Sequence, residues 1–230
     1  MLPMNKKTLL LVIMIAAVGL TGCLREGVDT LALPFGKIPE GVIPQAIREQ
    51  FEQYMPIYEG TTPPNITGEY LCKPDVLVFT SDDDFEPGDL FAPMYFAFEN
   101  QTESGMATYR NRQASATAEA PEVYVVGSGN NFTAYFLSYE TRTDDDGNVT
   151  ATSKMSHIMS GTLTPEGIVN FRNSFIMLEK DDPSDLLIDV NEYRVFKDGD
   201  ELVSYYNWTK SDPSEEWNFP LCVDKSATIK

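Results

Sequence analysis

NFTAYFLSYETRT, residues 131–143, decides the fold. Successive side chains of a strand point to opposite faces. Phe132, Ala134 and Phe136 therefore share one side of this segment, and Tyr135, Leu137 and Tyr139 share the other. A segment apolar on both sides must be covered twice, once from within a core and once from outside it. TATSKMSHIMSGTLT (150–164) and GIVNFRNSFIMLE (167–179) follow at once. Val169, Phe171, Phe175 and Met177 lie on one face of the latter, interrupted by Asn173.

The same texture extends in both directions. GEYLCKPDVLVFT (68–80), LFAPMYFAFEN (90–100), GMATYRNRQASATA (105–118), EVYVVGSG (122–129), LLIDVNEYRVFK (186–197) and ELVSYYNW (201–208) are rich in Val, Ile, Thr, Tyr and Phe. Residues of this kind favour strands. Met94, Phe96 and Phe98 share a face, with Tyr95 opposite. Asp146-Gly147, Pro165-Glu166-Gly167 and Asp198-Gly199 supply hairpin chemistry between runs. Strands joined by short connections pair antiparallel with their neighbours. The expected fold is all-β, an antiparallel up-and-down meander of about eight or nine strands that closes into a barrel and so removes its edges. A two-sheet β-sandwich is the alternative.

Before the strands, VIPQAIREQFEQYMP (42–56) places Ile43, Ile47, Phe51, Tyr54 and Met55 on one helical face. Pro44 suits its first turn and Pro56 ends it. One N-terminal amphipathic helix is therefore expected to pack on the β-structure or to dock a partner. The second apolar face of the strands needs this helix, the C-terminal segment SEEWNFPLCV, or a partner to cover it.

The N-terminus reads differently. Lys6 and Lys7 precede an apolar run from Leu9 to Leu20, and small residues follow. These are the parts of a signal peptide, and the run is shorter than the roughly 20 apolar residues of a membrane span. Leu20-Thr21-Gly22-Cys23 resembles the lipobox of bacterial lipoproteins. The resemblance implies cleavage after residue 22 and acyl chains on Cys23, which anchor stably where a single chain does not. Residues 23–41, with Gly27, Pro34, Gly36, Pro39 and Gly41, read as a tether. Residues 42–230 form a single β-rich domain. Asp29-Thr30-Leu31 resembles the O-glycosylation site of Bacteroidota-type envelope proteins, and the whole chain resembles the anchored envelope lipoproteins of that group. The implied location is the cell envelope at the outer membrane, facing the periplasm or the surface.

The formal net charge is −18, and removing Lys6 and Lys7 makes the chain more acidic still. So acidic a surface repels phosphate backbones and excludes nucleic acid as a partner. With Cys23 taken by the anchor, Cys72 and Cys222 remain of three cysteines. In an oxidising envelope they are expected to form one disulfide, two buried thiols being the alternative.

Gly68-Glu69-Tyr70, opening the first strand after a helical segment and before a meander, resembles the calycin or lipocalin-like layout over about residues 66 to 206. Lipocalins usually have tryptophan where this chain has Tyr70. The resemblance implies a barrel that binds a small ligand. Phe96, Phe136, Phe171 and Phe175 are the expected ligand-lining residues.

Catalysis is not expected. The single histidine, His157, has no serine elbow or other defined nucleophile near it in sequence. Met155, His157 and Met159 alternate onto one face, a soft set that suits Cu(I) and equally a core face with flexible methionines. Asp82-Asp83-Asp84 and Asp144-Asp145-Asp146 read as solvated loops rather than calcium sites. No metal or cofactor is expected. Two functions follow: an anchored binding module for a small apolar or glycan ligand, or an interaction subunit that docks another envelope protein through an apolar face.

Overall fold

A computed structural model describes residues 42–43 and 45–207. The expected signal peptide and tether, with Cys23 and Cys222, lie outside the described residues. The described chain is one short helix, α1 (Gln45–Phe51), and twelve strands. These are β1 (Thr61–Thr62), β2 (Gly68–Cys72), β3 (Asp75–Thr80), β4 (Leu90–Phe91), β5 (Met94–Glu99), β6 (Met106–Gln113), β7 (Ala116–Ser128), β8 (Asn131–Thr143), β9 (Val149–Thr164), β10 (Gly167–Asp181), β11 (Tyr193–Asp198) and β12 (Leu202–Tyr205).

All pair in a single sheet, and β12 pairs with both β2 and β10. That double pairing closes β2, β5, β6, β7, β8, β9, β10 and β12 into a ring, each antiparallel to the next. The fold is all-β and barrel-like, and the meander does not split into two sheets. β11, β3 and β4 extend the sheet from β10 at the other end. β10 pairs first with β12 through Gly167, Ile168 and Val169, then with β11 from Arg172 to Ile176. β11 and β12 thus act as one interrupted strand. β2 with β3, and β5 with β4, continue each other in the same way. Pro74 and Pro93, which lack a donor for the ladder, sit in two of the three interruptions.

Three expectations are corrected here. Asp198-Gly199 does not turn a hairpin, because β11 and β12 lie along the same flank of β10. Asp198 instead accepts hydrogen bonds from the backbone N–H groups of Lys73 (2.9 Å), Asp200 (3.1 Å) and Leu202 (3.1 Å), tying two interruptions together. The run 105–118 is two strands, turned by Ala114 at φ 50° and Ser115. Finally, 186–192 is a loop, and only Tyr193–Asp198 of that run is strand.

Closure requires a glycine. Gly167 has φ 147°, and a Cβ there would run into the Val203 carbonyl oxygen where β12 meets β10.

Inside, Tyr70, Phe96, Phe98, Phe132, Phe136 and Phe171 are almost fully buried and interlock. Phe96 stacks on Tyr70 (5.2 Å between centroids) and on Phe171 (5.4 Å), and Tyr109 meets Phe136 at 4.6 Å. Outside, the second apolar face is covered as the alternation demands. Val42, Ile43, Phe51 and Met55 pack on Tyr135, Ile158, Ile176 and Val195, with Tyr54 stacked on Phe79 at 4.2 Å. α1 is shorter than its periodicity suggests, but Met55 N–H still donates to the Phe51 carbonyl (3.0 Å), so the face continues to Pro56. Ser156 Oγ donates to the Val42 carbonyl and fixes the entry of the segment.

Elsewhere the outer surface is charged. Arg110 bridges Glu69 (2.9 Å) and Glu99 (3.1 Å), and Lys154 pairs with Glu179 (2.9 Å). An aromatic inside and a charged outside reverse the layout of a membrane-spanning barrel. Among the described residues no helix is long and apolar enough to cross a membrane.

Replacing Phe171 by Ala should cost about 3–5 kcal/mol in denaturant unfolding, the scale for emptying a packed aromatic position. A loss below about 1 kcal/mol would show that this half of the interior is not packed.

Candidate functional site

The interior changes character along the barrel axis. At the end bounded by the β7–β8 and β9–β10 turns it is filled by the aromatic cluster. Toward the end bounded by the Ala114-Ser115 turn and the loops 144–148 and 182–192, the inward positions become small and polar. β7 presents Ala116, Ala118 and Ala120, all buried. β8 presents Ser138 and Glu140 beyond Phe136, and β9 presents Ala151, Ser153, Met155 and His157. β10 adds Asn173, Phe175 and Met177, and β6 adds Asn111 and Gln113.

Register brings these groups together. His157 is paired with Phe136 on one side and Phe175 on the other, while Ser138 faces Met155 and Ser153 faces Glu140. The imidazole stacks on Phe136 at 4.9 Å and 3°, with Phe175 at 5.7 Å. Its two nitrogens, Asn173 Oδ1, Ser138 Oγ and Ser153 Oγ are buried and make no well-formed hydrogen bond among the described residues, although the Asn173 side chain lies close enough to the imidazole to favour its protonation. The Asn173 amide nitrogen reaches only Met94 Sδ, at 3.7 Å. Burial of an unpaired polar group costs about 1–3 kcal/mol, so several on adjacent inward positions mark a place where water or a ligand completes the bonding. Phe175, Asn111, Gln113, Glu140 and Arg142 face inward yet are only half-buried, so solvent reaches this recess.

The β10–β11 loop folds back over that end. Leu187 and Ile188 tuck against Ala151, Met155 and Met177. Lys180 Nζ holds the loop by donating to the Leu187 carbonyl (3.1 Å), Asp185 (3.1 Å) and Asp189 (2.9 Å). Arg142 pairs with Glu140 at 3.0 Å near the same mouth.

Beside the recess lies a second polar group. Asp75 is buried and accepts from Gln113 Nε2 (2.9 Å) and from the Cys72 thiol (3.7 Å). Burial raises the Asp75 carboxyl to about 7, against the lowering effect of those two bonds. Burial also pushes the Cys72 thiol well up. Among the described residues Cys72 is a fully buried thiol facing the barrel interior; Cys222, its expected disulfide partner, lies outside them.

Of the expected ligand-lining residues, Phe96, Phe136 and Phe171 belong to the packed cluster, Phe136 at its edge against His157, and only Phe175, on the other side of His157, lies outside it. Met155 and Met159 belong to two different apolar clusters. Among the described residues no group of three or more His, Cys, Asp or Glu side chains is placed to hold a metal. Asp82 is paired with Arg194 at 2.8 Å, and Asp144 Oδ1 caps its own turn by accepting from the Asn148 (2.8 Å) and Asp146 (3.0 Å) N–H groups. Ala116, Ala118, Ala120, Ser138 and Ser153 are site residues that the sequence reading passed over. Alanines at alternate positions of one strand were the available signal.

Comparisons with protein-family models, with curated proteins and with solved structures each returned no match.

Two buried titrating groups, His157 and Asp75, oppose each other. Burial lowers His157 to about 4, with Asn173 opposing. An unfolded histidine takes its proton near the ordinary 6.5, so the unfolded chain binds it first and stability falls as pH drops from about 6.5 toward 4. Folded Asp75 takes a proton from about 7 downward, its unfolded counterpart only near the ordinary 3.8, so acidification over the same interval favours the fold. Unfolding free energies measured between about pH 7 and pH 4.5 should therefore rise on acidification in His157→Gln and fall in Asp75→Asn, with the parent chain between, the total swing being roughly 3 kcal/mol per group. Identical slopes in all three proteins would remove both groups from the account.

Proposed function

We propose that this chain is a binding module, not an enzyme, held in the cell envelope by acyl chains on Cys23 and taking a small ligand into the recess between the aromatic cluster and the β10–β11 loop. One observation carries the reading: buried polar atoms of His157, Asn173, Ser138 and Ser153 make no well-formed hydrogen bond among the described residues, beside the inward and only half-buried side chains of Phe175, Asn111, Gln113, Glu140 and Arg142. A folded interior with nothing to bind would close over such positions or pair them. The sole histidine is stacked on Phe136 and meets Phe175 at a tilt, with neither nitrogen bonded to a hydroxyl or thiol among the described residues, which supports binding over nucleophilic catalysis. The docking alternative loses much of its surface, because α1 and its flanks occupy the outer apolar face. The large apolar side chains left exposed among the described residues, Leu90, Tyr139, Val149, Leu186, Val190 and Tyr205, are spread over five segments, Leu186 and Val190 sharing the β10–β11 loop.

Two measurements test the proposal. Ala118→Leu and Ser138→Leu, which grow into the recess, should leave stability within about 0.5 kcal/mol. Ala134→Leu, in the packed half, should cost about 1–3 kcal/mol. Equal costs at all three positions would mean a filled interior and would favour the docking reading. Separately, Cys23→Ser should move the protein out of the membrane fraction, and a variant that stays with membranes through a high-salt wash would defeat the anchor.

A further inference from the structure

The recess has a polarity that narrows what it can hold. Its open groups are an imidazole that offers one donor and one acceptor, a carboxamide oxygen and two hydroxyls, all uncharged. The charges around its mouth are already matched. Arg142 lies on Glu140, Lys180 is held by Asp185, Asp189 and the Leu187 carbonyl, and Asp75 is held by Gln113. An anionic ligand would meet Asp75 and Glu140 without a spare cation among these groups. An acyl chain would need the continuous apolar interior that Phe96, Phe98, Phe132 and Phe171 fill, and it would leave the open polar atoms unpaired at about 1–3 kcal/mol each. One apolar surface does remain: the half-buried ring of Phe175, between His157 and Phe196 (6.1 Å).

Resting on the reading of the recess as a binding site, we propose that its ligand is a small, uncharged, hydroxyl-rich molecule of the sugar or polyol class. Its hydroxyls would bond His157, Asn173, Ser138 and Ser153 while its C–H face lies on Phe175. Such a molecule both donates and accepts at neighbouring positions, as this wall requires. The small side chains of Ala116 and Ala118 lie on the same wall.

The chain's single histidine makes the test direct, because its ring resonances report the recess without ambiguity. The mature lipidated protein in phospholipid nanodiscs is titrated in turn with glucose, galactose, N-acetylglucosamine, hexanol and citrate, following the His157 imidazole signals by NMR. At least one of the neutral sugars should shift them saturably, hexanol and citrate should not, and Ala118→Leu should abolish the response with the fold intact. A saturable shift with hexanol or citrate and none with any sugar would overturn the ligand class while leaving a binding recess in place. No response to any of the five probes would overturn the ligand class. Parallel shifts in the Ala118→Leu protein would overturn the site itself.

Discussion

β10 is paired along one flank by β9 and along the other by two strands in succession, β12 and then β11. Everything else follows from that double pairing. It turns an open meander into a ring, so the inward side chains of eight neighbouring strands meet one another rather than solvent. It also brings the first strand of the ring, β2, beside the last, β12. The Asp198 carboxylate, which bonds backbone on both sides of the seam, holds the interrupted strands in line. A ring of this kind has a fixed inner wall, and the choice of side chain at each inward position decides whether the inside is core or site.

The two faces of β8, β9 and β10 show how completely this chain uses its apolar residues. The inner face closes on the phenylalanine cluster, and the outer face accepts α1 and its flanks, with Phe51 against Tyr193 at 5.4 Å. Each covering depends on the other, since a helix can dock only on strands already held flat by a packed interior. The recess begins where the inward residues shrink from Phe132 and Phe136 to Ser138, and from Met159 to Ser153.

Much of this was legible in the sequence. Residues 131–143 state their alternation openly, and the helical face from Ile43 to Met55 reappears as the outer cover. Other features had no local signal. Ala114 at φ 50° turns a hairpin without glycine or asparagine, so 105–118 reads as one strand. Asp198-Gly199 has hairpin chemistry, yet tertiary pairing with β10 on both sides keeps the strand running. Leu186, Leu187 and Ile188 look like a strand by composition and become a loop whose apolar residues cap the barrel end. The recess was harder still. Ala116, Ala118 and Ala120 are weak strand formers that period two places on one face, but their partners Ser138, Ser153 and His157 come from strands whose register no single segment specifies.

The central claim is that one half of the barrel interior is packed with aromatic rings and the other is a polar recess. A high-resolution crystal structure of the mature protein tests it most directly. The account predicts ordered water or a bound molecule at hydrogen-bonding distance from the His157 nitrogens and Asn173 Oδ1, with no such density among Phe96, Phe98, Phe132 and Phe171. Carbon atoms of the protein packed against those polar atoms, with the space between β7, β8 and β9 filled, would contradict it.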